Sequence, residues 1–169
     1  LLLGIGLAIG WSAIVVYTLW LLRHPPRRTY AFAVARQLPG DPSEIARGTG
    51  GIAARIEFTS WSFACGEHAL PVWDVVGGRI GGATLVITHG WGDSRITMLD
   101  RLPHLLPHFR RIILWDMPGH GEAPGICMLG TREPAALGQL LRKRYAGLRE
   151  LLDTPVRAPL PASIDIRNM

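Results

Sequence analysis

Two short stretches hold the residues best suited to chemistry: THGWGDS, Thr88 to Ser94, and DMPGHGEA, Asp116 to Ala123. Each packs a histidine, an aspartate and glycines into a few positions. Glycine lets the backbone turn sharply and leaves N–H groups open to approach. In HGWG, His89 to Gly92, a bare N–H past an apolar run can point at a developing oxyanion. One such donor is worth about 2.7–4 kcal/mol of barrier stabilisation. The same glycine spacing, Gly90 and Gly92, also suits a plain tight turn. In the second stretch Asp116 can accept hydrogen bonds from loop amides, Pro118 fixes φ, and Gly119 and Gly121 make the turn. His120 lies among turn formers, which favours a loop-shaping role over a general base. Ser94, directly after Gly92-Asp93, is a candidate nucleophile.

The residues before each loop must position them. ATLVI (83–87) and RRIILW (110–115) are continuous β-prone runs. Such runs suit strands buried on both faces of a parallel sheet. Between them, SRITMLDRLPHLLPHF (94–109) has near-helical apolar spacing interrupted by Pro103 and Pro107, so an irregular or short helix is expected. Strand, helix, strand is a βαβ unit. Loops leaving the C-terminal ends of such strands form the ligand side of an open α/β sheet. Upstream, residues 54–63 and 69–78 read as strands joined by the turn CGEH, an antiparallel pair. Downstream, residues 133–152 are helix-like, and the last stretch has three prolines and no convincing strand.

The first 22 residues carry no charge, and about 20 apolar residues suffice to cross a bilayer. Tyr17 and Trp20 near their end suit an interface. Arg23, Arg27 and Arg28 follow, and a basic flank stays cytoplasmic. The expected organisation is a transmembrane helix over 1–22, a linker over 23–53, a partial α/β domain over 54–141 and an atypical tail over 142–169. TYAFAVARQ within the linker has helical character, and LPGDPSE is turn chemistry. The globular part is expected on the cytoplasmic side, with the lipid bilayer as partner. The apolar run is too long for the core of a signal peptide and has no A-x-A-like site.

Net charge is +5 and the isoelectric point is about 10.0. The basic residues are scattered rather than gathered with aromatics in a stripe, so nucleic acid is not an expected partner. Cys65 and Cys127 are far apart, with no C-x-x-C and no metal-ligand spacing. They read as free thiols of a reducing compartment, and no metal is expected.

TLVITHGWGDS and ILWDMPGHGEA, about 20 residues apart, together resemble the α/β-hydrolase superfamily. They match its H-G-x-G oxyanion loop and its D-x-x-G-x-G turn. The resemblance covers about Arg55 to Gly138 and implies a Ser-His-Asp/Glu hydrolase, often an esterase, lipase or peptidase, with no cofactor. It implies that the backbone N–H of Trp91 lines the oxyanion hole and that a small ester or acyl compound is the substrate. The expected fold is α/β: the N-terminal transmembrane helix read above, then the first half of the family sheet, an antiparallel strand pair followed by a parallel βαβ unit. The family's attacking serine comes later, on a G-x-S-x-G elbow. After Ser94 the only serine is Ser163, without flanking glycines, and no histidine follows His120. The expectation is therefore the N-terminal part of a hydrolase, truncated or frame-shifted, inactive alone and prone to aggregate. In it Ser94 caps the following helix. Two other readings stand beside it. GDS also resembles the nucleophile block of GDSL-type esterases, with Ser94 attacking, although HGW intervenes and no D-x-x-H lies near the C-terminus. The third reading is a non-catalytic, membrane-anchored interaction or scaffold domain.

Overall fold

A computed structural model describes residues 2–45 and 56–145. The tail expected beyond residue 145 lies outside the described residues, as does the start of the strand expected at 54. The first element is α1, Leu2–Arg23, a 22-residue helix whose side chains from Leu3 to Leu22 are exposed. It is long and apolar enough to cross a membrane. A short helix α2, Tyr30–Ala35, follows, with a single 3₁₀ turn at Pro42–Glu44. Ala33 and Ile45 are buried with Ile96, Leu99 and Leu102 in one core cluster.

The body is a mixed α/β unit with a four-stranded, partly parallel sheet. Strands β1 (Phe58–Cys65) and β2 (His68–Val76) form the antiparallel hairpin, with Cys65 opposite His68 across the turn. Strands β3 (Thr84–Ile87) and β4 (Arg111–Trp115) run parallel, and the sheet order is β1-β2-β4-β3. β2 joins β4 antiparallel, with Val72 opposite Trp115. Period two assigns the two faces. Trp73, Val75, Ile112 and Leu114 face one core cluster, while Leu70, Val72, Ile113 and Trp115 face the other.

β4 is buried almost throughout, as its apolar run predicts. β3 departs from that expectation. Among the described residues it pairs only with β4, at the end of the strand order, and all four of its residues are half-buried rather than buried. An apolar run reports capacity for burial, not the number of neighbours a strand receives.

The connection between β3 and β4 is irregular. Turns over residues 95–98 lead to a 3₁₀ segment, Leu99–Arg101, and a four-residue helix α3, Leu102–Leu105, which carries Pro103 in its first turn. After β4 comes helix α4, Glu133–Arg144. Its first turn is organised by Glu133, whose carboxylate accepts the N–H groups of Met128, Gly130 and Arg132 at 2.7, 3.0 and 3.2 Å. Ala136 and Leu140 then bury one face against Phe63 and Trp115. The helix expected over 133–152 is described as far as Arg144.

Candidate functional site

β3 and β4 are parallel neighbours, so the loops that leave their C-terminal ends meet. The contact is polar and buried. Asp116, the residue after β4, has no exposed surface. Its Oδ1 accepts the backbone N–H of Arg95 at 2.7 Å and its Oδ2 accepts that of Glu122 at 3.0 Å. The Arg95 guanidinium lies 3.7 Å from the same carboxylate, also binds Glu122, and sits 4.4 Å over the Trp73 ring. Burial pushes the Asp116 carboxyl upward from its ordinary value, against the opposing pull of Arg95 and the two N–H donors.

His89 completes the link. Its Nδ1–H donates to the Gly90 carbonyl at 2.9 Å, and its Nε2 accepts the N–H of Met117 at 3.1 Å. That pattern requires the neutral imidazole. Burial lowers the His89 pKa, opposed by the Gly90 carbonyl and by Asp116 4.0 Å away. His89 is therefore a strut between the loops, with both nitrogens engaged. His120 packs its ring 5.0 Å from that of His89 and donates from Nδ1 to the Pro118 carbonyl at 3.1 Å. Its Nε2 is buried without a partner among the described residues.

The second loop needs its glycines. Gly119 has φ +78°, and a Cβ there would stand 2.5 Å from the Cys127 nitrogen. Gly121 has φ +49°, and a Cβ would stand 2.5 Å from the Asp116 carboxylate. Close approach, not turn geometry alone, excludes a side chain at both. In the first loop, Gly90 and Gly92 leave the backbone beside Trp91 uncrowded, with ordinary contacts to Asp93 and Pro26. The Asp93 N–H closes that turn onto the Gly90 carbonyl at 3.2 Å. Among the described residues nothing accepts the Trp91 backbone N–H. The Trp91 side chain is half-exposed, and its Nε1–H donates to the Leu22 carbonyl at 2.8 Å. Loop and helix end are thus joined.

Ser94 does not cap a helix. No helix begins at residue 94, and its buried Oγ has no hydrogen-bond partner among the described residues. Thr97 takes over the local backbone instead, its Oγ1 accepting the Ser94 N–H at 3.1 Å and donating to the Ser94 carbonyl at 2.8 Å. Nor does a histidine reach the Ser94 hydroxyl. The described residues bring together His89, Ser94, Arg95, Asp116 and His120, and place Trp91 at the rim. They form no hydrogen-bonded serine–histidine pair.

Sequence reasoning missed Arg95. An arginine after Gly-Asp-Ser reads as solvated, and nothing local marks it as buried. The signal available was indirect: an acid ending a fully apolar strand must be satisfied by some donor. Both cysteines are free. Burial raises the Cys127 thiol, which lowers its reactivity. Among the described residues no group of His, Cys, Asp and Glu is arranged to hold a metal.

No family model matches this chain, and no curated protein matches it. Among solved structures, the chain is similar to the Pyrococcus furiosus esterase Pf2001. The identity is 21%, over 54% of this chain and 37% of that one, with a TM-score of 0.46. A second crystal form of that esterase gives a TM-score of 0.47. The chain is also similar to Cfl2 from Burkholderia cenocepacia, at 29% identity over 52% of this chain and 29% of that one, with a TM-score of 0.40. It thus spans less than two fifths of the length of either protein.

Proposed function

We propose that this chain is the membrane-anchored, N-terminal part of an acyl hydrolase and supplies the oxyanion side of its site. The observation that carries this reading is the bond between the two strand-end loops. His89 to Met117 and Asp116 to Arg95 hold the HGWG backbone rigidly beside β4, leaving the Trp91 N–H open. A donor fixed before reaction needs no reorganisation when charge develops. In the proposed reaction a serine outside these 169 residues attacks the acyl carbonyl, and the tetrahedral oxyanion accepts the Trp91 N–H. The base is placed outside as well: both His89 nitrogens are engaged, and neither His89 nor His120 bonds the Ser94 hydroxyl. The substrate is an ester or similar acyl compound, and α1 crosses the bilayer.

A fluorophosphonate probe tests the reading. Incubated with the full chain in detergent, it should leave no adduct, and an adduct on Ser94 would transfer the nucleophile to this loop. Reading the gene past codon 169, in all frames, should reveal a strand followed by G-x-S-x-G. In that longer protein Trp91→Pro, which removes the N–H, should lower kcat about 10²–10³-fold. Trp91→Ala, which keeps the N–H, should not. Unchanged turnover in a folded Trp91→Pro protein would remove the oxyanion role. The non-catalytic reading, an anchored interaction domain, is favoured by the absence of a serine–histidine pair among the described residues. It prevails if no frame encodes the elbow.

A further inference from the structure

Directly after α1 the chain folds back along a cavity of about 580 Å³. Its floor is apolar, with Ile45, Ile96 and Leu99 buried there, and Leu38 stands at the edge. Its lining also carries Arg27, Arg28 and Arg36, with Asp100 the one acid among them. Arg28 is already matched by Asp93 at 2.7 Å. Arg27 commits one N–H to the Gly125 carbonyl at 3.2 Å. Arg36 stacks on Phe32, 4.6 Å from the ring centroid, which occupies its face and leaves its N–H edge available. A guanidinium carries five donors, so Arg27 and Arg36 both retain capacity for an oxyanion.

A cavity of this size accommodates a drug-sized ligand, and an apolar floor lined also by arginines selects an amphiphile with an anionic head. Its place in the chain says where that amphiphile comes from. Pro26 lines the cavity three residues after Arg23, the last residue of α1. Three residues reach at most about 11 Å, and the polar layer of a bilayer is about 5–8 Å deep on each side. We propose that this cavity binds an acidic phospholipid, its phosphate on Arg27 and Arg36 and the start of an acyl chain on Ile96 and Leu99. The proposal rests on the reading of α1 as a membrane span. It is independent of the oxyanion loop.

The test titrates the full chain, in a neutral maltoside detergent, with dioctanoyl phosphatidic acid, dioctanoyl phosphatidylcholine and inorganic phosphate. Saturable binding of the phosphatidic acid is expected, with the other two at least tenfold weaker. Each surface arginine contributes about fivefold toward an anionic lipid, so Arg27→Gln with Arg36→Gln should weaken binding about tenfold or more. Leu38→Ser should weaken it through the apolar edge, and Arg101→Gln, outside the cavity, should leave it unchanged. Equal binding of phosphatidylcholine would overturn charge recognition. Equal binding of phosphate would identify a free anion as the ligand and overturn the lipid. Absence of saturable binding, or insensitivity to the double substitution, would overturn the site. Carbonate extraction of membranes from the expressing cells reads the span separately. A chain retained there, without phosphatidic acid binding, would refute the cavity alone, and a chain released would remove the bilayer as the source.

Discussion

His89 carries the most specific chemistry of any single residue in the site. Its Nδ1–H and its Nε2 are both engaged with backbone, and a proton on Nε2 would set N–H against the N–H of Met117. Burial separately lowers its pKa from 6.5, because the charged imidazolium loses its hydration. The sign of the pH effect follows. As pH falls below about 6.5 the unfolded chain gains a proton at this residue before the folded chain does. Stability therefore falls from pH 6.5 down to the lowered folded value. Asp116 acts in the opposite direction, since burial raises its carboxyl and the folded chain is protonated there first. Its window begins above 3.8 and favours folding on acidification. The melting temperature should drop between pH 7 and pH 5. His89→Gln, whose side-chain oxygen can accept the Met117 N–H, should melt lower at pH 7 but lose most of that slope. A variant with the full wild-type slope would assign the titration to another group.

At the scale of elements, the turn after β4 is defined by what cannot fit. Gly119 and Gly130 both have positive φ, +78° and +85°, but only Gly119 has backbone within reach of a Cβ. The left-handed conformation alone costs a non-glycine residue about 1–2 kcal/mol. Gly130→Ala measures that cost. Gly119→Ala adds the clash with the Cys127 nitrogen and should lower the melting temperature at least twice as far. Equal losses would show that the Cys127 segment moves aside. The strands themselves were legible, because alternation leaves a period-two signal in β1 and continuous β-prone runs mark β3 and β4. The loops were legible as glycine-dense segments that end strands. Three features were not. The edge position of β3 depends on which strand pairs where. The burial of Arg95 depends on an acid 21 residues away. The failure of Ser94 as a cap follows from Thr97 capturing the same backbone groups, and Pro103 delays the helix to Leu102.

At the scale of the whole molecule, the end of α1 and the ligand side of the sheet meet at one place. The Leu22 carbonyl accepts from Trp91, the Arg23 carbonyl accepts the Cys127 N–H at 3.0 Å, and Arg28 pairs with Asp93. Both glycine loops therefore lie against the residues that follow the apolar helix. If α1 spans the bilayer, these loops lie at the headgroup layer. On the proposed reading Arg23, Arg27 and Arg28 would keep this flank cytoplasmic; their bonds to Met128, Gly125 and Asp93 tie the folded body to it. Glu67, exposed in the β1–β2 turn, offers a reporter for that side. In a Cys65→Ser, Cys127→Ser background, Glu67→Cys should react with a membrane-impermeant maleimide only after the cells are permeabilised. Labelling in intact cells would place the sheet outside. The basic flank would then be a feature of the folded interface alone, and the two loops would face the opposite leaflet.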